Sequence, residues 1–544
     1  MIRRVVFALL GILVGLPPTV TAAPDTAVVC PSVLRAALQP WLEYRAAQGH
    51  RLELIDSASS EQFLRERIGQ LARGGQLRFV VLVGDDDPRS AADPEVRARC
   101  VPTHRVPARV VTRWGSEPEI ASDSLYGDLD LDGLPDVSVG RISVRNAQQL
   151  AEVVRKIIRY EQNLNHDPWR REVHVVAGAG GFGPLLDGVL ETATRRFLTE
   201  GIPAAYRTTM TYASWSSPYC PDPRRFRHAV LDRLNEGGLF WVYLGHGRPQ
   251  SLDYVRLPQG ELPIFEAGDE SQLRCPQGGP IAVFLSCYVG AFDAAEDCLA
   301  ERLVRSPGGP VAVVSGSRVT MPYAMAVLGG ELLDQYFRAR RPTLGELLLH
   351  AQRGLAAHQS PAPGRAWLDP LAGLLSPAPV DLAAERAEHV RLFNLLGDPL
   401  LRLRRPQAVH VGVAESVVAG ATLEVSGTAD VDGPCLVELV CRRDRFTFTP
   451  APRRGLDVTP EGLARLDETY RRANDDRWTW LPAQLVDGRF VLELPVPPET
   501  RGPCHVRVYV QGRDDFALGS AEVYVRAAAA TARAAGPPPS HSAE

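Results

Sequence analysis

The chain has 544 residues, 45% of them hydrophobic and 23% charged, with a net charge of −4 spread without a long basic block. That length exceeds one compact core and predicts two or three domains, while the charge balance argues against nucleic acid as a partner. The 60 basic residues include a single lysine, Lys156, a bias read as genome composition.

The first residues place Arg3 and Arg4 ahead of an apolar run from Val5 to Leu16, which Pro17 and Pro18 stop. A bilayer span takes roughly 20 residues, so this run is too short to cross, and Val20-Thr21-Ala22 suits signal-peptidase cleavage. The expectation is a signal peptide over 1–22, cleaved near Ala22. The mature chain is then a bacterial protein that is secreted, periplasmic or at the cell surface, with no transmembrane anchor. Nine cysteines suit an oxidising compartment, where Cys30 with Cys100 or Cys220 with Cys275 could close. The odd count leaves at least one thiol over, and Cys287 is the candidate.

Residues 27–166 read as an α/β subdomain. "PWLEYRAAQGHRLELI" is a helix, a glycine stop at Gly49 and a strand; "LRFVVLVGDDDP" is a buried strand ending in an acidic turn; "SVGRIS" is another strand. Asn146 caps a helix with Leu150, Val153, Val154, Ile157 and Ile158 on one face. Residues 167–405 form a second α/β block, with strands in "EVHVVAGAG", "GLFWVYLGHG", "PIAVFLSC" and "PVAVVSGS". Such continuous apolar runs mark parallel strands covered on both faces by helices, and the working site of such a sheet lies at strand carboxyl ends. From 408 to 526 the runs become short and alternating, as in "ATLEVSGT", "CLVELVCRR" and "CHVRVYVQG". They predict an immunoglobulin-like β-sandwich, interrupted by the helix-prone "EGLARLDETYRRAND". Residues 527–544 read as a disordered, low-complexity tail.

Two strands of the second block end on reactive side chains: His246 between two glycines, and Cys287 41 positions later. A cysteine peptidase needs a thiolate nucleophile and an imidazole that protonates the leaving amine. The backbone N–H groups of Gly247 and Cys287 would bind the oxyanion. A histidine and a cysteine also commonly fill core positions, and spacing alone leaves both readings open.

The stretches "SDSLYGDLDLDGLPDVSVGRIS", "GHG" after an apolar strand, a later strand ending in Cys287, and "FNLLGDP" follow one another in that order. Together they resemble the gingipain-like cysteine peptidases, over about Ala27 to Arg405. The resemblance implies a caspase-like α/β unit of two subdomains, followed by an immunoglobulin-like domain. It implies a cysteine-type endopeptidase acting on protein or peptide substrates, with His246 as general acid/base and Cys287 as nucleophile. It also implies that Asp136, just before the "GR" strand, orients the imidazole. Asp136 reads equally as a calcium ligand or a turn carboxylate, and Asp253 is a local alternative for the orienting role. Arginine-specific members of that family look to carry an acidic pocket residue soon after the "GR" strand. Gln148 and Gln149 stand there instead, which implies weak or no preference for arginine.

"DLDLDGLPD" sets Asp128, Asp130, Asp132 and Asp136 in a D-x-D-x-D-G-x-x-D pattern with Gly133 at the turn. Val139 stands where an EF-hand has its bidentate glutamate, so the loop is not a complete EF-hand. A shorter structural Ca2+ site on the four aspartates is the expectation, in line with the resemblance, and an Asp-Gly turn is the alternative. "VHVVAGAGGFG" carries G-x-G-x-x-G at Gly178, Gly180 and Gly183. The next strand lacks the acidic residue that would hold a ribose, so the glycines read as a tight turn. "WSSPY", from Trp215 to Tyr219, reads as a surface loop. Two further readings stay open: a processing peptidase or transpeptidase of a secretion system, and a catalytically silent adhesion or scaffold protein binding a cell surface.

Overall fold

The computed structural model describes residues 23–57, 60–180, 197–275, 279–359, 365–375, 381–453 and 455–528. The expected signal peptide over 1–22, Gly183, and all but the start of the 527–544 tail lie outside the described residues.

Ten strands form one sheet: β1 (Thr26–Val29), β2 (Leu52–Ile55), β3 (Phe79–Val83), β4 (Ser138–Ile142), β5 (Glu172–Ala177), β6 (Arg207–Tyr212), β7 (Phe240–Leu244), β8 (Ile281–Leu285), β9 (Ala312–Gly316) and β10 (Phe393–Leu396). Their order is β2-β1-β3-β4-β10-β9-β8-β7-β5-β6. Strands β1 to β4 pair in parallel, and so do β5 to β9. Each block starts with the same winding: its second strand lies on one side of the first and its third on the other. Strand β10 joins the blocks, antiparallel to β9 and parallel to β4. It was not among the predicted strands, because "FNLL" is too short to show a period. The join puts the carboxyl ends of β7, β8 and β9 on the same edge as the amino ends of β4 and β10.

Every residue of β3, β8 and β9 is buried, as continuous apolar runs covered on both faces require. The covering helices include α1 (Arg35–Ala47), α2 (Glu61–Ala72), α3 (Ala147–Gln162), α4 (Phe226–Asn235), α5 (Leu299–Arg305), α6 (Pro322–Phe337), α7 (Leu344–Ala356) and α8 (Leu382–Leu392). Helix α3 starts at the expected cap: the Gln149 N–H donates to Asn146 Oδ1 at 2.9 Å. It buries Leu150, Val153, Val154 and Ile157.

Two of the stretches that carry the family resemblance, "SDSLYGDLDLDGLPDVSVGRIS" and "FNLLGDP", are bonded to each other. Arg141 of β4, fully buried, donates through Nε and Nη2 to the two carboxylate oxygens of Asp123 at 2.7 Å each. Its Nη1 donates to the carbonyls of Gly84 and Val101. The Asp123 N–H donates to Asn394 Oδ1 in β10, and Asp398 just beyond accepts from Trp41 and Arg45 of α1.

The C-terminal region comprises β11 (His410–Val413), β12 (Ser416–Val418), β13 (Thr422–Thr428), β14 (Gly433–Cys441), β15 (Arg477–Leu485), β16 (Arg489–Pro495), β17 (Gly502–Gln511) and β18 (Phe516–Arg526). Strands β11, β13 and β16 make one antiparallel sheet; β18, β17, β14 and β15 run side by side in the other, with β12 added on β18. Val425, Val437, Leu439, Leu485, Leu494, Val506 and Val508 fill the space between. The predicted helical insertion is α9 (Pro460–Ala473). It leans on the large sheet, with the Tyr470 hydroxyl 2.8 Å from Thr211 Oγ1 and the Met210 N–H donating to Asn474 Oδ1 just past the helix.

The sandwich grips the second block by charge as well. Buried Glu438 accepts from Arg171 of that block and from Arg507 of β17. Burial pushes its carboxyl up, but the two guanidinium groups outweigh this and hold it at about 2. Tyr509 and Phe516 belong to the same apolar core as β7 and β8. Among the described residues no helix is long and apolar enough to cross a membrane. All nine cysteines are thiols, so neither Cys30 with Cys100 nor Cys220 with Cys275 is joined.

Candidate active site

Strands β7 and β8 pair so that each residue faces the one 41 positions later, from Phe240 opposite Ile281 to Leu244 opposite Leu285. His246 and Cys287 are separated by the same interval, and each stands two residues past the last pair. Both therefore leave the sheet at one edge and one level. Strand order reverses beside them, where β5 lies between β6 and β7. Open α/β sheets form their ligand crevice at such a point.

The glycines around His246 answer to space. Gly245 has φ +155°, and a Cβ there would lie 2.7 Å from the Tyr243 hydroxyl. A Cβ on Gly247 would lie 2.4 Å from the Cys287 carbonyl oxygen and 2.9 Å from Ser286 Oγ. The histidine turn and the cysteine turn are thus in backbone contact. Buried Tyr243 secures the first: its hydroxyl donates to the His246 carbonyl at 2.8 Å and accepts the Asp253 N–H at 3.3 Å. Asp253 Oδ2 accepts the Ala179 N–H, tying in the glycine loop after β5.

Cys287 is partly exposed, and its sulfur accepts from the Thr320 N–H at 3.3 Å and from Thr320 Oγ1 at 3.6 Å. Thr320 is held from behind, because the next N–H, of Met321, donates to His389 Nε2 at 2.7 Å. Burial pushes His389 down to about 4, so it is a neutral acceptor rather than a second catalytic base. Tyr288 follows the cysteine with φ +59°, a left-handed backbone rare for a bulky residue and often seen at functional turns. Its hydroxyl donates to Glu117 at 2.9 Å. Arg318 donates to both oxygens of Asp293 and to the Glu119 carbonyl. Glu117 and Glu119 belong to a hairpin of the first block, so both blocks shape the cysteine turn.

Asp136 stands elsewhere. Its Oδ1 accepts from Arg353 and its Oδ2 from the Leu129 N–H, not from His246, and three strands separate β4 from β7. The expected orienting role is therefore corrected: Asp136 belongs to the acidic loop. There, ligand atoms of Asp128, Asp130 and Asp136 lie within 4.8 Å of one another, while Asp132 lies outside the group and accepts the Leu134 N–H. Asp128 is buried, Arg65 and the Gly133 N–H reach its Oδ2, and Oδ1 has no protein partner. Burial pushes this carboxyl up. A buried, unpartnered oxygen among converging carboxylates fits a hard cation. Asp85, Asp297 and Glu301 also converge, with Arg145 and Arg305 paired to them as Arg65 and Arg353 are to Asp128 and Asp136.

Gln149 accepts the Arg145 N–H at the start of α3, at the carboxyl end of β4 and so on the edge opposite the cysteine. The basis for expecting little arginine preference is thereby withdrawn. Tyr219 packs on Phe446, and Arg453 takes the carbonyls of Trp215 and Ser217, so "WSSPY" docks on the sandwich. Thr320, Tyr243 and Tyr288 were not singled out from the sequence. The nearness of Tyr288 to Cys287 and of Tyr243 to His246 in the chain could have signalled those two.

The family model described as Peptidase family C25 matches residues 19–404. The chain belongs to peptidase family C25. Lys-gingipain of Porphyromonas gingivalis is 22% identical over 290 residues, and Lys-gingipain W83 of the same organism 24% over 291. Each match covers 51% of this chain and 14% of the relative, so the shared region is a small part of those proteins. The crystal structure of the Arg-specific cysteine proteinase gingipain R superposes with a TM-score of 0.51 at 17% identity, over 94% of this chain and 100% of that one. At that identity the likeness speaks for the fold: a mixed α/β unit with one large, mostly parallel sheet, followed by separate antiparallel sheets. Membership of C25 places the chain in a family named for peptidases.

Proposed function

We propose that this C25 chain is an exported cysteine endopeptidase in which Cys287 is the nucleophile and His246 the general acid/base. The observation that carries the reading is the common interval of 41, in the pairing of β7 with β8 and between the two side chains. The Cys287 thiolate adds to the peptide carbonyl carbon, and the carbonyl oxygen takes the negative charge. Protonated His246 gives its proton to the amine as the C–N bond breaks, leaving a thioester. Water, deprotonated by His246, then displaces the sulfur.

Two backbone donors suit the oxyanion. The Cys287 N–H makes no backbone hydrogen bond among the described residues. The Leu252 N–H goes to Phe265, so Gly247 and its partner Leu252 face each other without bonding, and the Gly247 N–H points out of their hairpin. Asp128, Asp130 and Asp136 would hold a calcium ion, which would neutralise their mutual repulsion and brace the loop before β4. Export rests on the amino-terminal pattern of two arginines, a short apolar run and Ala22.

The test is a diverse peptide mixture incubated with wild type, Cys287→Ala and His246→Ala, with and without calcium, and read by mass spectrometry. New internal cleavages are expected from wild type alone. Equal cleavage by Cys287→Ala, or none by wild type, overturns the reading.

A further inference from the structure

Within the sandwich two cysteines face each other across neighbouring strands. Cys441, the last residue of β14, is the register partner of Cys504 in β17, and both are buried thiols. The Arg442 N–H donates to the Pro503 carbonyl at 3.2 Å, a bond between the residues just beyond this pair. In an antiparallel ladder that makes Cys441 and Cys504 a non-hydrogen-bonded pair, whose Cα atoms lie about 4.5 Å apart with side chains on one face. Disulfides accept Cα separations of about 4.4–6.8 Å. The pair falls at the short end of that range.

We propose that Cys441 and Cys504 form a cross-strand disulfide when the chain meets a disulfide-donating oxidant. One thiolate attacks the donor disulfide and releases one donor thiol. The other cysteine then attacks the mixed disulfide and releases the second. The two cysteines lose two electrons and two protons, and the donor gains them. Burial pushes Cys441 up to about 12 and Cys504 up to about 11, so the folded thiols are nearly all protonated and slow to react. The bond therefore closes while β14 and β17 assemble, and burial afterwards shields it from reductant.

Its place gives it a mechanical role. Two residues beyond Cys441, Arg443 donates to the carbonyls of Ile202, Pro203 and Tyr206 in the second block. The loop closed by the bond contains α9, which also docks on that block. The link thus pins the strands through which the sandwich holds the peptidase unit. The proposed export supplies the oxidising compartment; the pairing does not depend on Cys287.

To test this, the full chain is refolded from the reduced state in a buffer of oxidised and reduced glutathione. It is alkylated with N-ethylmaleimide in denaturant and mapped by mass spectrometry. The expected result is one linked peptide pair joining Cys441 to Cys504, with Cys287 alkylated. Dithiothreitol should lower the melting temperature of wild type but not of Cys441→Ala/Cys504→Ala, which keeps peptidase activity. Alkylation of both cysteines, or a link from either to a third, overturns the proposal. Inactivity of a correctly linked wild type counts against the peptidase reading alone.

Discussion

At position 247 a single methyl group would sit 2.4 Å from the Cys287 carbonyl oxygen, so one backbone must yield. Gly247→Ala is expected to lower kcat/KM by about 100-fold, the scale of a 1 Å misplacement in an active site. Its melting temperature should fall as well, since overpacking against backbone costs about 1–3 kcal/mol. Steady-state kinetics beside thermal melts check this, and unimpaired kinetics would show that the two turns do not need their present contact. The matching positions of His246 and Cys287 at two strand ends were legible because each follows an apolar run. Thr320 was not, since its role is to present an N–H and a hydroxyl to a sulfur 33 positions away, and chain order carries no trace of that.

Among the elements, the loop before β4 and helix α8 each allow a measurement. Asp128→Asn removes the charge of the buried carboxylate that lacks a partner for one oxygen. Calcium should stabilise wild type by about 2.7 kcal/mol when free calcium is 100 times Kd, and this gain should largely vanish in the variant. An equal melting shift in both would place calcium elsewhere. In α8, burial pushes Glu385 up from its ordinary 4.5 to about 7. A raised pKa gives stability that is whole below 4.5 and lost as pH rises to 7. His389, pushed by burial from 6.5 to about 4, has the opposite sign: its stability is whole above 6.5 and lost as pH falls to 4. Between 4.5 and 6.5 the two largely cancel. Glu385→Gln keeps an acceptor for the Ala324 N–H and removes one of the opposing slopes. Denaturant melts should show it gaining on wild type by at most roughly 3 kcal/mol from pH 4.5 to 7. The acidic pattern was legible in the loop; the exclusion of Asp132 was not, because a D-x-D period does not say which carboxylates turn inward.

For the whole molecule, sequence showed two α/β blocks and a β-rich region but not how they join. Strand β10 has four residues and no period, and nothing in "FNLL" says that it runs against β9. That direction decides which loops share an edge. Without it, Gln149 looked like part of a pocket; Asp136 does share the edge of His246, but three strands stand between β4 and β7. The join between the peptidase unit and the sandwich centres on Glu438, between Arg171 and Arg507. Glu438→Gln leaves the two guanidinium groups without their shared buried charge, and about 3–5 kcal/mol of stability should be lost. Melting followed by tryptophan fluorescence and by loss of peptidase activity should shift together, because the sandwich and the second block share a core. A shift in one signal alone would mean that they unfold separately.

The pairing of Cys287 with His246 is tested most directly by labelling with a peptidyl acyloxymethyl ketone, with the adduct mapped by mass spectrometry. Wild type should carry the adduct on Cys287 and on no other cysteine, Cys287→Ala should carry none, and folded His246→Ala should react orders of magnitude more slowly. An adduct on another cysteine, or a labelling rate that ignores the loss of His246, would contradict the account.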